Sequence, residues 1–238
     1  IQFEGWGKQF LSYRQANGHW GKSFYQPKWI CSHYTLLDLK NLNILPNKEI
    51  INTLELTFTK AKCSDGGINP ADSVKQSDVC INEEHLKSLV DFLLSEKMCD
   101  GGFNCHSNRK GATHSSVHTT LSVLEGFAEY KKNYRYRLTE ILKAEKEAQE
   151  FLLMHKLFRS DKTDEIINPK FLKFSYPCRW YYDILKAMDY FQADAFKYDK
   201  RMNDAINVII TKKTKENQSK LSPKHIGATH FDMEEAGK

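Results

Sequence analysis

The chain has 238 residues, of which 40% are hydrophobic and 27% are charged, as in an ordinary soluble globular protein. The formal net charge of +5 is modest and spread along the chain, so we expect no nucleic-acid partner. No apolar run approaches the roughly 20 residues that a membrane span needs. The six cysteines are scattered and no secretory signal is visible, which favours reduced thiols and a cytoplasmic location.

Apolar residues recur at helical spacing along most of the chain. This spacing predicts helices, in chain order, at about 30–43, 50–58, 85–94, 117–128, 138–158, 180–191 and 201–210. No stretch shows the alternation of a convincing strand, so the predicted fold class is all-α. Glycine-containing turns such as Asn17-Gly18 and Asp100-Gly101 are expected to end helices through positive φ.

One short phrase recurs along the chain and predicts a repeat architecture. In its best copy, from Phe10 to Trp20, an apolar pair is followed by a turn with Gly18 and then by a large apolar residue. Other copies, with more substitutions, begin at Phe58, Phe92, Phe151 and near Ile209. The tetrapeptide Gly-Ala-Thr-His also occurs twice, at 111–114 and 227–230. Repeats of this kind bury one another's faces, so stacked helical hairpins in a single domain (1–238) are predicted.

The copies beginning at Phe58 and Phe92 lie closer together than the others, with room for one helix between their turns instead of two. We expect that a helix is missing from the sequence after about Asn82 and that the ends are incomplete. The alternative is a unit that is truly shorter than its neighbours.

The phrase from Phe10 to Trp20 resembles the QW repeats of squalene and hopene cyclases. Over nearly its whole length the chain is similar to squalene-cyclase-like and prenyltransferase-repeat proteins. The resemblance implies an α/α toroid, here an incomplete α/α barrel of helical hairpins around an apolar cavity. The Asp-x-Asp-Asp acid motif of the cyclases is absent from the sequence, which counts against cyclisation. The acidic stretch 161–165 is interpreted as a solvated turn.

In such a toroid the starts of the inner helices line the cavity. The resemblance therefore implies a set of substrate-cavity residues: Trp29, Tyr34, Phe103, His114, Trp180, Tyr181 and Tyr182. Aromatic walls suit an isoprenoid chain, and aromatic faces stabilise a carbocation. The alternative is that these aromatic side chains belong to the core.

Protein prenyltransferase β-subunits hold zinc with an Asp-x-Cys pair and a histidine at the starts of two inner helices. Asp78, Cys80 and His118 match those positions, and the resemblance implies a zinc site with one place open for a substrate thiolate. The alternative interpretations are a helix cap for Asp78, a small buried residue for Cys80 and a hydrogen-bonded core histidine for His118.

Basic residues near the same helix starts offer a second kind of site. Arg109, Lys110 and Arg179 are candidates for binding a diphosphate as charge-assisted donors. The alternative is that all three are surface charges.

Two functions stay open at this point. The first is an enzyme acting on an isoprenoid or other lipid-like substrate, assisted by zinc. The second is a non-catalytic toroid that binds a lipid, a peptide or a partner protein. The sequence does not separate them, because fold alone does not give function.

Overall fold

The protein is described by a computed structural model that covers residues 4–61 and 83–233. The α-helices are α1 (Gly5–Ser12), α2 (Ser32–Asn41), α3 (Lys48–Ala61), α4 (Glu83–Ser95), α5 (Ser107–Lys110), α6 (Val117–Asn133), α7 (Leu138–Met154), α8 (Ile184–Ala193) and α9 (Asn203–Thr211). Short 3₁₀ helices occupy Pro169–Leu172 and Lys200–Met202. Within the described ranges only isolated β-bridges occur, so the all-α prediction is confirmed. No described helix is long and apolar enough to span a membrane.

The predicted helices exist, but several of them have different ends from those expected; α6, for example, continues to Asn133. Helix α8 begins at Ile184 because the Asp183 carboxylate caps it, accepting the backbone N–H of Lys186 at 2.9 Å. Helix α7 ends at Met154, after which the N–H of Leu157 donates to the carbonyl of Leu152 at 3.0 Å. Leu157 takes a positive φ of 69°, which turns the chain out of the helix.

Two compact units make up the chain. Within the described residues, the first contains 4–61, 83–89 and 224–233, and the second contains 90–223. The single-domain prediction and the toroid both stay predictions. The join after Asn82, where we expected a missing helix, lies outside the described residues.

The first unit is built around a buried cluster of Phe10, Trp20, Leu39, Ile44 and Ile50. The C-terminal segment packs onto this cluster, with the Phe231 ring centroid 4.7 Å from that of Phe10. The hydroxyl of Thr35 donates to the carbonyl of Cys31 and accepts from Nε2 of His230 at 2.8 Å. Residues far apart in the sequence therefore share one core.

In the second unit, α6 packs along α7 and also contacts α8. The most deeply buried side chains of this unit include Leu121, Leu124, Phe127, Ile141, Leu152 and Phe191. A polar network joins the three helices: the Lys131 ammonium on α6 lies 2.9 Å from Glu145 on α7 and also pairs with Asp194 at the end of α8. The unit is held by apolar packing and by this partly buried charge network.

Three copies of the recurring phrase, those that begin at Phe10, at Phe92 and near Ile209, share one hydrogen-bonded turn. In the first copy the N–H of Gln15 donates to His19 O at 2.8 Å, and the N–H of Gly18 donates to Gln15 O at 3.0 Å. The same two bonds occur among Met98, Gly101 and Gly102, and again among Thr214, Asn217 and Gln218. The positive φ is held by Gly18 (85°), Gly101 (91°) and Asn217 (62°). Asparagine tolerates this conformation, so the turn persists where the glycine is absent.

The large residue after each described glycine turn is buried in the fold. Trp20 is fully buried and its backbone N–H donates to the hydroxyl of Ser32 at 3.1 Å. Phe103 is 2% exposed and its N–H donates to the hydroxyl of Thr120 at 2.9 Å. In both copies the turn is fastened to the first turns of the next long helix.

Candidate functional site

The candidate site is an open depression in the second unit. It is formed by the start of α6, the end of α7, the 3₁₀ helix Pro169–Leu172 and the loop that follows α7. Its volume is about 590 Å³, within the range of about 300–1,000 Å³ that small-molecule sites occupy. The apolar part of its wall is made by Val117, Phe151, Ile166, Ile167 and Phe171.

The α6 side of the depression is fixed by the turn before that helix. Ser115 donates its backbone N–H to one carboxylate oxygen of Asp100 at 2.8 Å, and its hydroxyl donates to the other. Partial burial works against ionisation of this carboxyl, but the bonds from Ser115 prevail and lower the pKa of Asp100. Ser116 donates its N–H to Phe103 O at 2.8 Å. Two serines at the rim are thus held by hydrogen bonds to Asp100 and Phe103.

The opposite side of the depression is a hydrogen-bonded loop. The N–H of Ser160 donates to Glu165 O at 2.8 Å, and the N–H of Ile167 donates to Phe158 O at 3.0 Å. This loop presents Ile166 and Ile167 at 42% and 44% exposure. These two neighbouring side chains add exposed apolar surface to the depression. The prediction that 161–165 forms an exposed turn is confirmed.

His155, at the end of α7, lines the depression, and one of its ring nitrogens already makes a hydrogen bond. Its Nδ1 lies 2.9 Å from the carbonyl oxygen of Arg159, and a carbonyl only accepts. Nδ1 therefore carries the proton, and Nε2 of the neutral ring carries a lone pair. The His155 ring packs edge-on against the Phe151 ring, with 4.6 Å between ring centroids, and this contact fixes the orientation of the imidazole. A histidine held in this way can accept a hydrogen bond or a proton from a bound molecule.

His118, at the start of α6, has the opposite tautomer. Its Nδ1 accepts the backbone N–H of Tyr182 at 2.8 Å, so the proton of the neutral ring lies on Nε2. The ring also contacts Phe171 and Trp180 edge-on, at 5.3 Å and 5.2 Å between centroids. Coordination of zinc through either nitrogen would require that this hydrogen bond be given up. The arrangement therefore fits the hydrogen-bonded interpretation of His118 better than the zinc-ligand one.

The other two residues of the predicted zinc site, Asp78 and Cys80, lie outside the described residues. Within the described ranges, no three His, Cys, Asp or Glu side chains are placed to share a metal ion. The zinc site stays a prediction.

Two of the predicted substrate-cavity residues belong to an aromatic cluster in the first unit. The ring centroids of Trp29 and Tyr34 lie 4.7 Å apart, and the Tyr34 hydroxyl is 2.8 Å from that of Tyr25. His33 packs against Tyr34 at 4.8 Å, and burial lowers its pKa to about 4. The histidine in this cluster is therefore neutral at physiological pH.

The remaining predicted cavity residues lie in the second unit and have different environments. Phe103 packs against Phe127 in the core, 5.9 Å between ring centroids. Tyr182 is 2% exposed and its hydroxyl donates to Leu157 O. Trp180 is 39% exposed and stacks on Tyr181 at 4.2 Å. None of these four side chains lines the depression, although Trp180 reaches it indirectly through its contact with His118.

His114 is exposed and does not line the depression either. Of the predicted diphosphate residues, Lys110 is exposed, whereas Arg179 is only 3% exposed. The surface-charge interpretation of Arg179 is therefore wrong. The side chain of Arg109 lies outside what the structure describes.

Sequence reasoning missed the residues that shape this depression, namely His155, Glu165, Ile166 and Phe171. His155 lies within the copy of the phrase that begins at Phe151, and the isoleucine pair directly follows the acidic turn, but neither position marks a depression.

Comparison with known protein families, with curated proteins and with solved structures finds no match. The function is therefore inferred from the depression and its residues.

Proposed function

We propose that this protein binds an isoprenoid or other lipid-like molecule in the depression between α6 and α7. One observation carries the proposal: two partly exposed isoleucines line the same depression as the Phe151 and Phe171 rings. Burying such surface under an apolar chain contributes about 25 cal/mol per Å². The polar residues at the rim of the depression are available to bind a head group.

At the level of architecture, we propose a squalene-cyclase- or prenyltransferase-like toroid that works in the cytoplasm. The resemblance of the phrase from Phe10 to Trp20 supports this, as does the recurrence of one turn in several copies. Whether the helices close into a ring around a cavity is part of the proposal.

Catalysis is the second candidate function, favoured by the lone pair on Nε2 of His155. An oriented histidine beside a bound substrate is the common form of a general base. Zinc assistance at Asp78, Cys80 and His118 belongs to this candidate. Metal analysis of the untagged protein, with His118→Ala as the comparison, tests it.

The binding proposal is tested by titrating the protein with a C15 prenyl alcohol and following tryptophan fluorescence. Trp180 is a suitable reporter, because its ring contacts His118 at the edge of the depression. We expect saturable binding that Ile166→Glu weakens about tenfold or more, since an apolar contact is replaced by a charge.

The matched control is Ile210→Glu. Ile210 is also a partly exposed isoleucine, at 56%, but it lies on α9 and does not line the depression. Equal affinities for the wild type and Ile166→Glu would contradict the proposal, as would an absence of binding.

A further inference from the structure

We infer that this depression recognises a lipid whose head group is a hydrogen-bond donor without negative charge, an alcohol or an amine, and that it discriminates against carboxylates and phosphates. The inference rests on the proposed function and specifies its ligand. It is carried by the fixed tautomer of His155 and by the charges around the depression.

The first step concerns His155. Its Nδ1–H is committed to Arg159 O at 2.9 Å, and the carboxylate of Asp161 lies 4.0 Å from the same nitrogen. Its Nε2 has no hydrogen-bond partner in the described part of the chain. A ligand that displaces water from this lone pair must supply a donor in its place, because an acceptor that loses its partner on burial costs free energy.

The second step concerns charge. Glu165 lines the depression, whereas no lysine or arginine is among the described residues that do so. Of the cations in the loop, Lys156 lies 2.8 Å from Asp164 and Arg159 lies 2.9 Å from Asp204. Lys162 is exposed and does not line the depression. The electrostatic environment therefore disfavours an anion.

These two observations select the head group. A hydroxyl donates a hydrogen bond to Nε2 of His155. An ammonium donates the same hydrogen bond and is also attracted by the carboxylate of Glu165. A carboxylate or phosphate offers only acceptor oxygens, and these would face both a lone pair and a carboxylate. The apolar wall contacts the hydrocarbon chain in each case, so the ligands differ in affinity only through the head group.

The experiment compares four ligands that share one C15 chain: farnesol, farnesylamine, farnesoic acid and the hydrocarbon farnesene. We expect the alcohol or the amine to bind about tenfold more tightly than the hydrocarbon, the gain of one well-placed hydrogen bond. The acid is expected to bind no better than the hydrocarbon. A higher affinity for the amine than for the alcohol would assign the ammonium, and the reverse would assign the hydroxyl.

Variants tie the selectivity to His155. His155→Leu is expected to remove the tenfold preference for the donor ligand while farnesene binding stays unchanged. His155→Gln supplies a carbonyl oxygen and is expected to restore part of the preference. His114→Leu is the matched control, since His114 is an exposed histidine of the same unit that does not line the depression.

A second variant does not depend on the fold tolerating a change at His155. Glu165 is exposed, and Glu165→Lys is expected to raise the affinity for farnesoic acid about fivefold by reversing the local charge.

The outcomes separate the two proposals. If farnesene binds as tightly as farnesol and Ile166→Glu weakens both, the lipid site stands and the inference about the head group is overturned. Tighter binding of the acid than of the alcohol also overturns it. If none of the four ligands binds, both proposals fail.

Discussion

The indole Nε1–H of Trp20 donates a hydrogen bond to the backbone carbonyl of Phe10 at 2.7 Å, and so joins the two ends of the recurring phrase. Phe10 lies in the last turn of α1, and its carbonyl also accepts the N–H of Tyr13 at 3.2 Å. Trp20 is fully buried and fills the core of the first unit while it gives this carbonyl a second donor. The phrase is therefore a helix end with its own anchor.

Replacing the anchor should lower stability. Trp20→Phe removes the hydrogen bond and leaves a cavity, so we expect the free energy of unfolding to fall by about 2–4 kcal/mol. Urea unfolding measures the change. Trp180→Phe is the control, because Trp180 is 39% exposed and should lose about 1 kcal/mol or less. Equal losses in the two variants would show that the phrase does not fasten the fold.

Gly102 is required by a close approach between its turn and α6. A Cβ added there would lie 2.7 Å from both the Ser115 Cβ and the Thr120 hydroxyl oxygen. Gly102→Ala should therefore cost about 1–3 kcal/mol of unfolding free energy, and it should also disturb the serine rim of the depression. Thermal unfolding and ligand titration measure the two effects.

Gly126, on α6 itself, provides the opposite case. It lies within α6, and a Cβ there meets no atom within 4 Å. Gly126→Ala should raise stability by about 0.5–1 kcal/mol through helix propensity. A stabilising Gly102→Ala would contradict the structure of this turn.

Asp183 links stability to pH. Burial raises its pKa from 3.8 to about 6, despite its bond from the Lys186 N–H and the opposing charge of that side chain. The folded state therefore holds this proton more tightly than the unfolded chain, and its contribution to stability is lost as pH rises from about 4 to about 6. The loss amounts to at most about 3 kcal/mol.

Asp183→Asn tests this linkage, because the amide oxygen still caps α8 and carries no charge. We expect the variant to be more stable than the wild type at pH 7 and similar to it at pH 4, by urea unfolding. Asp199→Asn is the matched control with the opposite sign. Arg201 lowers the pKa of Asp199 to about 2, so its contribution is present at pH 7 and is lost only below pH 4. A flat difference between wild type and Asp183→Asn across pH 4–7 would rule out the linkage.

The sequence predicted the helices and turns well because both depend on local residues. Positive φ at Gly18 and Gly101 and the burial of Trp20 follow from spacing alone. The start of α8 was misplaced because Trp180 and Tyr181 look like helix residues, and only the cap by Asp183 decides where the helix begins.

The depression could not be predicted from the sequence, because it joins residues of α6 to a loop after α7. The tautomers of its two histidines are set by a backbone carbonyl and a backbone N–H, at Arg159 and Tyr182. Neither contact leaves a pattern in the sequence. His118 was therefore selected by resemblance, while His155 was missed.

The charge network of the second unit contains one cation and two carboxylates. Lys131 lies 2.9 Å from Glu145 and also pairs with Asp194, and these carboxylate side chains are only 5% and 9% exposed. Burial raises the pKa of Glu145, although Lys131 acts against this shift. The network gains further bonds from Gln149, whose amide donates to Asp194 at 3.0 Å.

Removing the cation should therefore cost more than an ordinary ion pair. Lys131→Met leaves two buried carboxylates without a counter-ion, and we expect a loss of about 3 kcal/mol in urea unfolding at pH 7. The neighbouring Lys132 pairs with Glu129 at the surface, where both side chains are more than half exposed. Lys132→Met should change stability by about 0.5 kcal/mol or less. Adding Glu145→Gln to Lys131→Met should recover part of the loss, since one uncompensated charge is removed. Similar effects of the two lysine substitutions would mean that the network does not hold α6, α7 and α8 together.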